Sequence, residues 1–199
     1  MAGILSTSIF LKFQNKFKER CVTLFVEAYQ ISRLNKSISL DFEENDITTV
    51  LHSHIGENPK RKKWQIFTNR EEYVFDKTAS QVKGFASKLS RIDMRFSKFW
   101  EAEDYQYYVE AKNLKTKDSG LKRRYIKTGI DNFLAGGKYY NCEGFLVGYV
   151  LEGSVENCVE GINKLLEKDK RSNEKIEMIS FLSKHQEKEI YHLFLDYAN

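Results

Sequence analysis

Apolar residues recur at intervals of three and four along residues 9–34. Phe10, Phe13, Phe17, Cys21, Leu24, Ala28 and Ile31 fall on one side of a helix, and no Gly or Pro interrupts them. The pattern predicts one long amphipathic helix, set off as an N-terminal unit over residues 1–38. Core packing is the first use for such a stripe. Docking of a partner protein or a second copy of the chain is the other.

A second helix is predicted within residues 39–58, starting near Asp41 or Glu43, with Ile47, Val50, Leu51 and Ile55 inward. Glu44 falls on the inward edge of that stripe. A carboxylate there is costly unless it is paired or metal-bound, although a helix N-terminus also favours acids. Asn58-Pro59 ends the helix and starts a turn. Residues 63–68 read as a strand, and residues 76–90 carry no clear period. Residues 91–96 and 106–114 read as two adjacent antiparallel strands. A basic loop is expected at 115–122, then a helix over 125–140 that frays at Gly136-Gly137. The nearly all-apolar run Phe145 to Leu151 marks a strand buried on both faces. Ser154 caps a further helix, and two short segments, 174–183 and 189–197, close the chain. This order predicts an α/β fold with a mixed central sheet flanked by helices.

Length and composition fit one domain, or one domain with a helical extension: 199 residues, 41% apolar. No apolar run approaches the roughly 20 residues of a membrane helix, and the N-terminus shows no signal-peptide pattern. Three widely spaced cysteines, Cys21, Cys142 and Cys158, argue against a disulfide framework or a zinc ribbon. A cytoplasmic setting is expected. The net charge of +4 is mild, but it is clustered. Lys60 to Lys63 form one basic group. Lys115, Lys117, Lys122, Arg123, Arg124 and Lys127 form a second, suited to phosphate contacts on DNA.

The candidate chemistry lies in Arg91-Ile92-Asp93-Met94-Arg95-Phe96 and in Val109-Glu110-Ala111-Lys112. On a strand, Glu110 and Lys112 share one face while Val109 and Ala111 share the other. Asp93 on the neighbouring strand completes a patch of two carboxylates and one ammonium. Such a patch can hold Mg²⁺ through oxygen ligands and stabilise charge developing on phosphorus. Rival chemistries lack their residues. His52, His54, His185 and His192 have no metal-ligand spacing. There is no Gly-x-Ser-x-Gly elbow and no phosphate-binding glycine loop.

An acidic helix, an Asp strand, a Glu-x-Lys strand, then a helix and a buried strand: residues 40–151 resemble the PD-(D/E)xK nuclease superfamily, with its restriction-endonuclease-like fold. The segments after the Glu-x-Lys strand are similar to those of small bacterial nucleases of this kind. The resemblance assigns Asp93 and Glu110 to Mg²⁺ (or Mn²⁺), Glu44 to an assisting role and Lys112 to the attacking water, within a domain spanning 39–199. It implies cleavage of DNA phosphodiester bonds in restriction, phage defence or repair. The other function it allows is a non-catalytic nuclease-fold subunit that binds nucleic acid or a partner protein in a larger defence complex. The chain departs from the pattern at Ile92, where a proline often stands.

Overall fold

A computed structural model describes residues 7–74, 90–100 and 103–199. Its frame is a six-stranded mixed sheet in the order β1-β2-β3-β4-β6-β5. The strands are β1 (Phe67–Val74), β2 (Ser90–Trp100), β3 (Glu103–Lys115), β4 (Gly144–Glu152), β5 (Leu182–Lys184) and β6 (Glu189–Asp196). β1, β2 and β3 are antiparallel neighbours, β4 lies parallel to both β3 and β6, and β5 closes the far edge antiparallel to β6. The all-apolar run of β4 therefore lies mid-sheet, as its composition requires.

Helices cover both faces. α1 (Thr7–Leu34) and α2 (Glu44–Glu57) pack on one. Phe17, Cys21, Leu24, Phe25 and Ala28 of α1 join Ile47, Leu51 and Ile55 of α2 against Met94, Phe96, Val109, Ala111 and Val147. The apolar stripe of α1 thus meets this chain's own sheet, and residues on both sides of position 38 share one core. On the other face, Val155–Lys168 forms α6, with Cys158, Val159, Ile162 and Leu166 buried. They pack with Tyr125, Ile130, Leu146 and Val150. Ser154 caps α6, its Oγ accepting from Asn157 N at 3.2 Å. Just before it, Gly153 turns the chain at φ +82°, where a Cβ would lie 2.1 Å from Thr116 Oγ1.

Three local expectations change. Residues 59–64 form a short helix, α3 (Pro59–Trp64), rather than a turn running into a strand. Asn58 caps it and Pro59 occupies its first turn, where a missing N–H costs nothing. The strand begins only at Phe67. The basic loop at 115–122 is partly helix α4 (Ser119–Arg124), capped by the Asp118 side chain. α4 continues through a π-helical turn (Tyr125–Ile130) into α5 (Asp131–Phe133), so the helix ends before Gly136. The aperiodic stretch at 76–90 lies outside the described residues as far as residue 89. Among the described residues, no helix is long and apolar enough to cross a membrane.

Candidate active site

β2 and β3 pair from Met94 opposite Val109 to Trp100 opposite Glu103. Asp93 lies just beyond the last pair, and its Oδ2 accepts the Ala111 N–H at 2.7 Å. That bond holds the carboxylate beside the Glu-x-Lys segment. Alternation along β3 sends Val109 and Ala111 into the α1–α2 core and turns Glu110 and Lys112 to the other face. Both are 5% exposed.

Lys112 Nζ donates to Glu110 Oε1 at 2.6 Å and to the Ala111 carbonyl at 2.8 Å. It lies 3.9 Å from Glu44 Oε2. Glu44, the first residue of α2, accepts from the Asn113 N–H at 3.1 Å through Oε1 and from Arg124 Nη2 at 3.1 Å through Oε2. The four residues that the sequence singles out, Asp93, Glu110, Lys112 and Glu44, therefore converge from three elements.

The electrostatics are unbalanced. Burial, then the neighbouring Asp93 charge, push the Glu110 carboxyl up to about 8, against the pull of Lys112. Burial also raises Asp93, opposed by Lys112 and the Ala111 N–H. Glu110 Oε2 is buried without a hydrogen-bond partner. A buried carboxyl raised by a partly buried carboxylate beside it, with one oxygen lacking a hydrogen-bond partner, has the chemistry of a hard-cation ligand pair. Among the described residues no group of three or more His, Cys, Asp or Glu side chains is placed to hold a metal ion, so Asp93 and Glu110 would have to act as a pair. Mg²⁺ can be held by a pair, since water and substrate phosphate complete its shell.

A cleft of about 500 Å³ opens here, lined by Glu44, Asn45, Asp93, Asn113, Lys115 and Arg124 among others. Of the predicted phosphate-binding cluster, Lys115 and Arg124 thus border the site. Lys117 and Lys127 are exposed, and Lys127 lies 3.4 Å from Asp131. Two members are corrected. Lys122 is 6% exposed and donates to the carbonyls of Lys115 and Thr116, so its ammonium anchors the β3–α4 turn. Arg123 turns to Asp169 at the end of α6. Lys122→Ala is accordingly expected to cost about 1–3 kcal/mol by removing a buried ammonium's bonds to the turn, although the Lys115 carbonyl keeps the Asp118 N–H at 3.1 Å. Urea unfolding measures that loss, and the salt dependence of DNA binding should stay unchanged.

Sequence reasoning missed Glu71, Asn113 and Tyr139. Glu71 sits at φ 49°, at the one skipped position between the Arg70–Met94 and Glu72–Ile92 pairs, opposite Asp93. Asn45 donates to it at 3.2 Å, and Arg91 lies 3.7 Å away. The strand expected to end at Thr68 hid this residue. Asn113 directly follows the Glu-x-Lys triplet and donates through Nδ2 to the Phe42 carbonyl at 2.9 Å, tying β3 to the entry of α2. Tyr139 donates to the Arg91 carbonyl, and its phenol is raised by burial and by the charges of Glu110 and Asp93. Nothing in the local sequence marks it.

One rival arrangement exists. Ser183 Oγ lies 2.8 Å from His185 Nε2, and His185 Nδ1 lies 2.7 Å from Glu174 Oε2. The order matches a nucleophile, base and acid. Ser183 has no exposed surface, however, which denies it a substrate. Ser183 also lies 2.8 Å from His192 Nε2, whose Nδ1 lies 2.9 Å from the Tyr125 hydroxyl. The network satisfies buried polar groups between β5, β6 and the π-helical turn. Burial pulls His192 down to about 3, so it stays neutral. The chain matches no protein-family model, no curated protein and no solved structure.

Proposed function

We propose that this chain is a Mg²⁺-dependent nuclease of the PD-(D/E)xK kind, cleaving DNA phosphodiester bonds in cytoplasmic restriction, phage defence or repair. The observation that carries the reading is the meeting of Asp93 and Glu110 beside Lys112, with Glu44 on the remaining side. The sheet supports it: the Asp strand and the Glu-x-Lys strand are antiparallel neighbours, followed by a parallel buried strand.

Asp93 and Glu110 would hold the ion. Mg²⁺, or Mn²⁺ in its place, supplies Lewis-acid polarisation of a phosphoryl oxygen and a more acidic bound water. Lys112, fixed by the Ala111 carbonyl and Glu110, stands where an ammonium can orient water or offset charge on phosphorus. Glu44 holds Arg124 at the cleft wall, and Arg124 with Lys115 would position flanking phosphates without reading sequence.

The non-catalytic reading, a nuclease-fold subunit binding nucleic acid or a partner protein, draws support from the Lys112 ammonium being already engaged by Glu110 and the main chain. Incubation of the purified chain with plasmid and linear DNA separates the two. Catalysis predicts nicked or cut DNA with Mg²⁺ or Mn²⁺ and none with EDTA. Binding without cleavage under every condition would favour the subunit.

A further inference from the structure

Away from the second basic cluster, another set of cations gathers without an acid in the pocket they line. Lys12, Lys16 and Arg20 recur every fourth residue of α1. They lie on one side of the helix, about 6 Å apart along its axis. Lys98 of β2 joins them. These four cations, with Ile9, Phe13 and Phe17, line a pocket of about 350 Å³, and no acid stands among its described lining residues.

Aromatic faces and main chain fix the inner cations. Lys98 Nζ donates to the Trp64 carbonyl at 2.6 Å and lies 5.9 Å from the centre of the Phe13 ring. Arg20 lies over the Trp64 ring at 5.2 Å, and its Nε is buried without a hydrogen-bond partner. The outer cations are loosely held. Lys16 contacts Glu19 at 2.8 Å, but both side chains are more than half exposed, at 55% and 63%, and such pairs contribute little. Burial, with the Arg20 charge next, lowers the Lys98 ammonium. Lys62 and Lys63 are exposed on α3, next to Trp64, and extend the same sign of charge.

We infer that this pocket binds the phosphodiester backbone of a nucleic-acid strand, as an anchoring site separate from the cleft that Asp93 and Glu44 line. The axial repeat of the cations is on the scale of successive phosphates in one strand. An anionic membrane fits less well. A helix lying on lipid keeps its apolar face free to enter the acyl layer, whereas Phe17, Cys21, Leu24 and Phe25 commit that face of α1 to the core. The contacts would be independent of sequence. The pocket does not require the carboxylates to be catalytic.

The test uses the full chain in EDTA, titrated with a labelled duplex and its single strand across a range of KCl. Lys12→Gln combined with Lys16→Gln removes two exposed charges and should leave the melting temperature unchanged. Each lost phosphate contact flattens the slope of log K against log salt by about 0.9 on duplex and 0.7 on single strand. The double variant should therefore lose about 1.8 and 1.4 respectively, with weaker binding at every salt concentration. An unchanged slope overturns the inference, as does failure of the parent chain to bind either DNA. So does loss of binding to phosphatidylserine-containing vesicles in the double variant while DNA binding stays intact. Glu110→Gln should keep the full slope. A flattened slope in a chain that never cleaves would uphold the pocket and remove only the nuclease reading.

Discussion

Asp93→Asn and Glu110→Gln are each expected to abolish Mg²⁺-dependent cleavage of plasmid DNA while leaving the fold intact. Each change removes a ligand charge at nearly constant volume. The amide introduced at position 93 would keep an oxygen for the Ala111 N–H, which Asp93 accepts at 2.7 Å. The amide introduced at position 110 would keep an oxygen for Lys112, now 2.6 Å from Glu110 Oε1. The loss should reach roughly a thousandfold or more, since a cation site that lacks half its protein charge neither holds its ion nor orients water. Lys112→Ala should also stop cleavage, but with a different signature. It leaves the buried carboxylates without their ammonium, so it should destabilise the fold while both metal-binding groups remain. Cleavage by either carboxylate variant at the parental rate would mean that the reacting centre lies elsewhere.

The second large effect is a fall in stability as pH rises from about 6.5 to 8. Glu110 is pushed up to about 8 in the folded chain, from an unfolded value of 4.5. Between those values the folded chain holds a proton that the unfolded chain releases. The unfolded state therefore binds fewer protons, and stability falls with rising pH until Glu110 is ionised in both states. Buried His192 acts in the opposite sense. His192 is held down to about 3 from 6.5, so its contribution is lost as pH drops below 6.5. The two effects oppose one another in the overlap, but as pH climbs above 6.5 His192 becomes neutral in both states and the Glu110 effect prevails. Glu110→Gln should flatten the curve in that window. Added Mg²⁺ should restore parental stability most at pH 8, where the ionised pair is exposed to its own repulsion. Urea unfolding at pH 6.5, 7.25 and 8 checks both statements. A parental curve that is level, or that rises with pH, would mean Glu110 is already ionised and fully compensated by Lys112.

Much of this arrangement is legible in the chain because period and burial coincide. The stripe from Phe10 to Ile31 marked α1, and the unbroken apolar run from Phe145 marked β4 as a strand covered on both faces. The i, i+2 spacing of Glu110 and Lys112 placed both on one face of β3, and Asp93 belonged to the strand beside it. Glu44 was legible as an acid on the inward edge of an apolar stripe.

Other features were hidden for physical reasons. Charge along the sequence says nothing about where an ammonium ends. Lys122 looked like its neighbours but reaches into the fold because α4 begins at Ser119 and turns it toward the end of β3. Glu71 stands opposite Asp93 at a left-handed position that interrupts the β1–β2 ladder, and no glycine announced that bend. Tyr139 arrives from a turn, and turns carry no period. The cations of α1 recur at four-residue intervals beside the aromatic stripe, a pattern that an ordinary solvated helix face shares. Only Lys98, distant in sequence, converts them into a pocket.

Cleavage and the rescue of stability by Mg²⁺ both require Asp93 and Glu110 to form one cation site. Titration of the parent chain with Mn²⁺ at pH 8, following the loss of free-ion signal by electron paramagnetic resonance, tests this directly. Saturable binding is expected that Mg²⁺ displaces, that weakens at pH 6.5 as Glu110 takes up a proton, and that disappears when Asp93→Asn and Glu110→Gln are combined. Equal binding by the parent and the double variant, or none by the parent, would contradict a shared site.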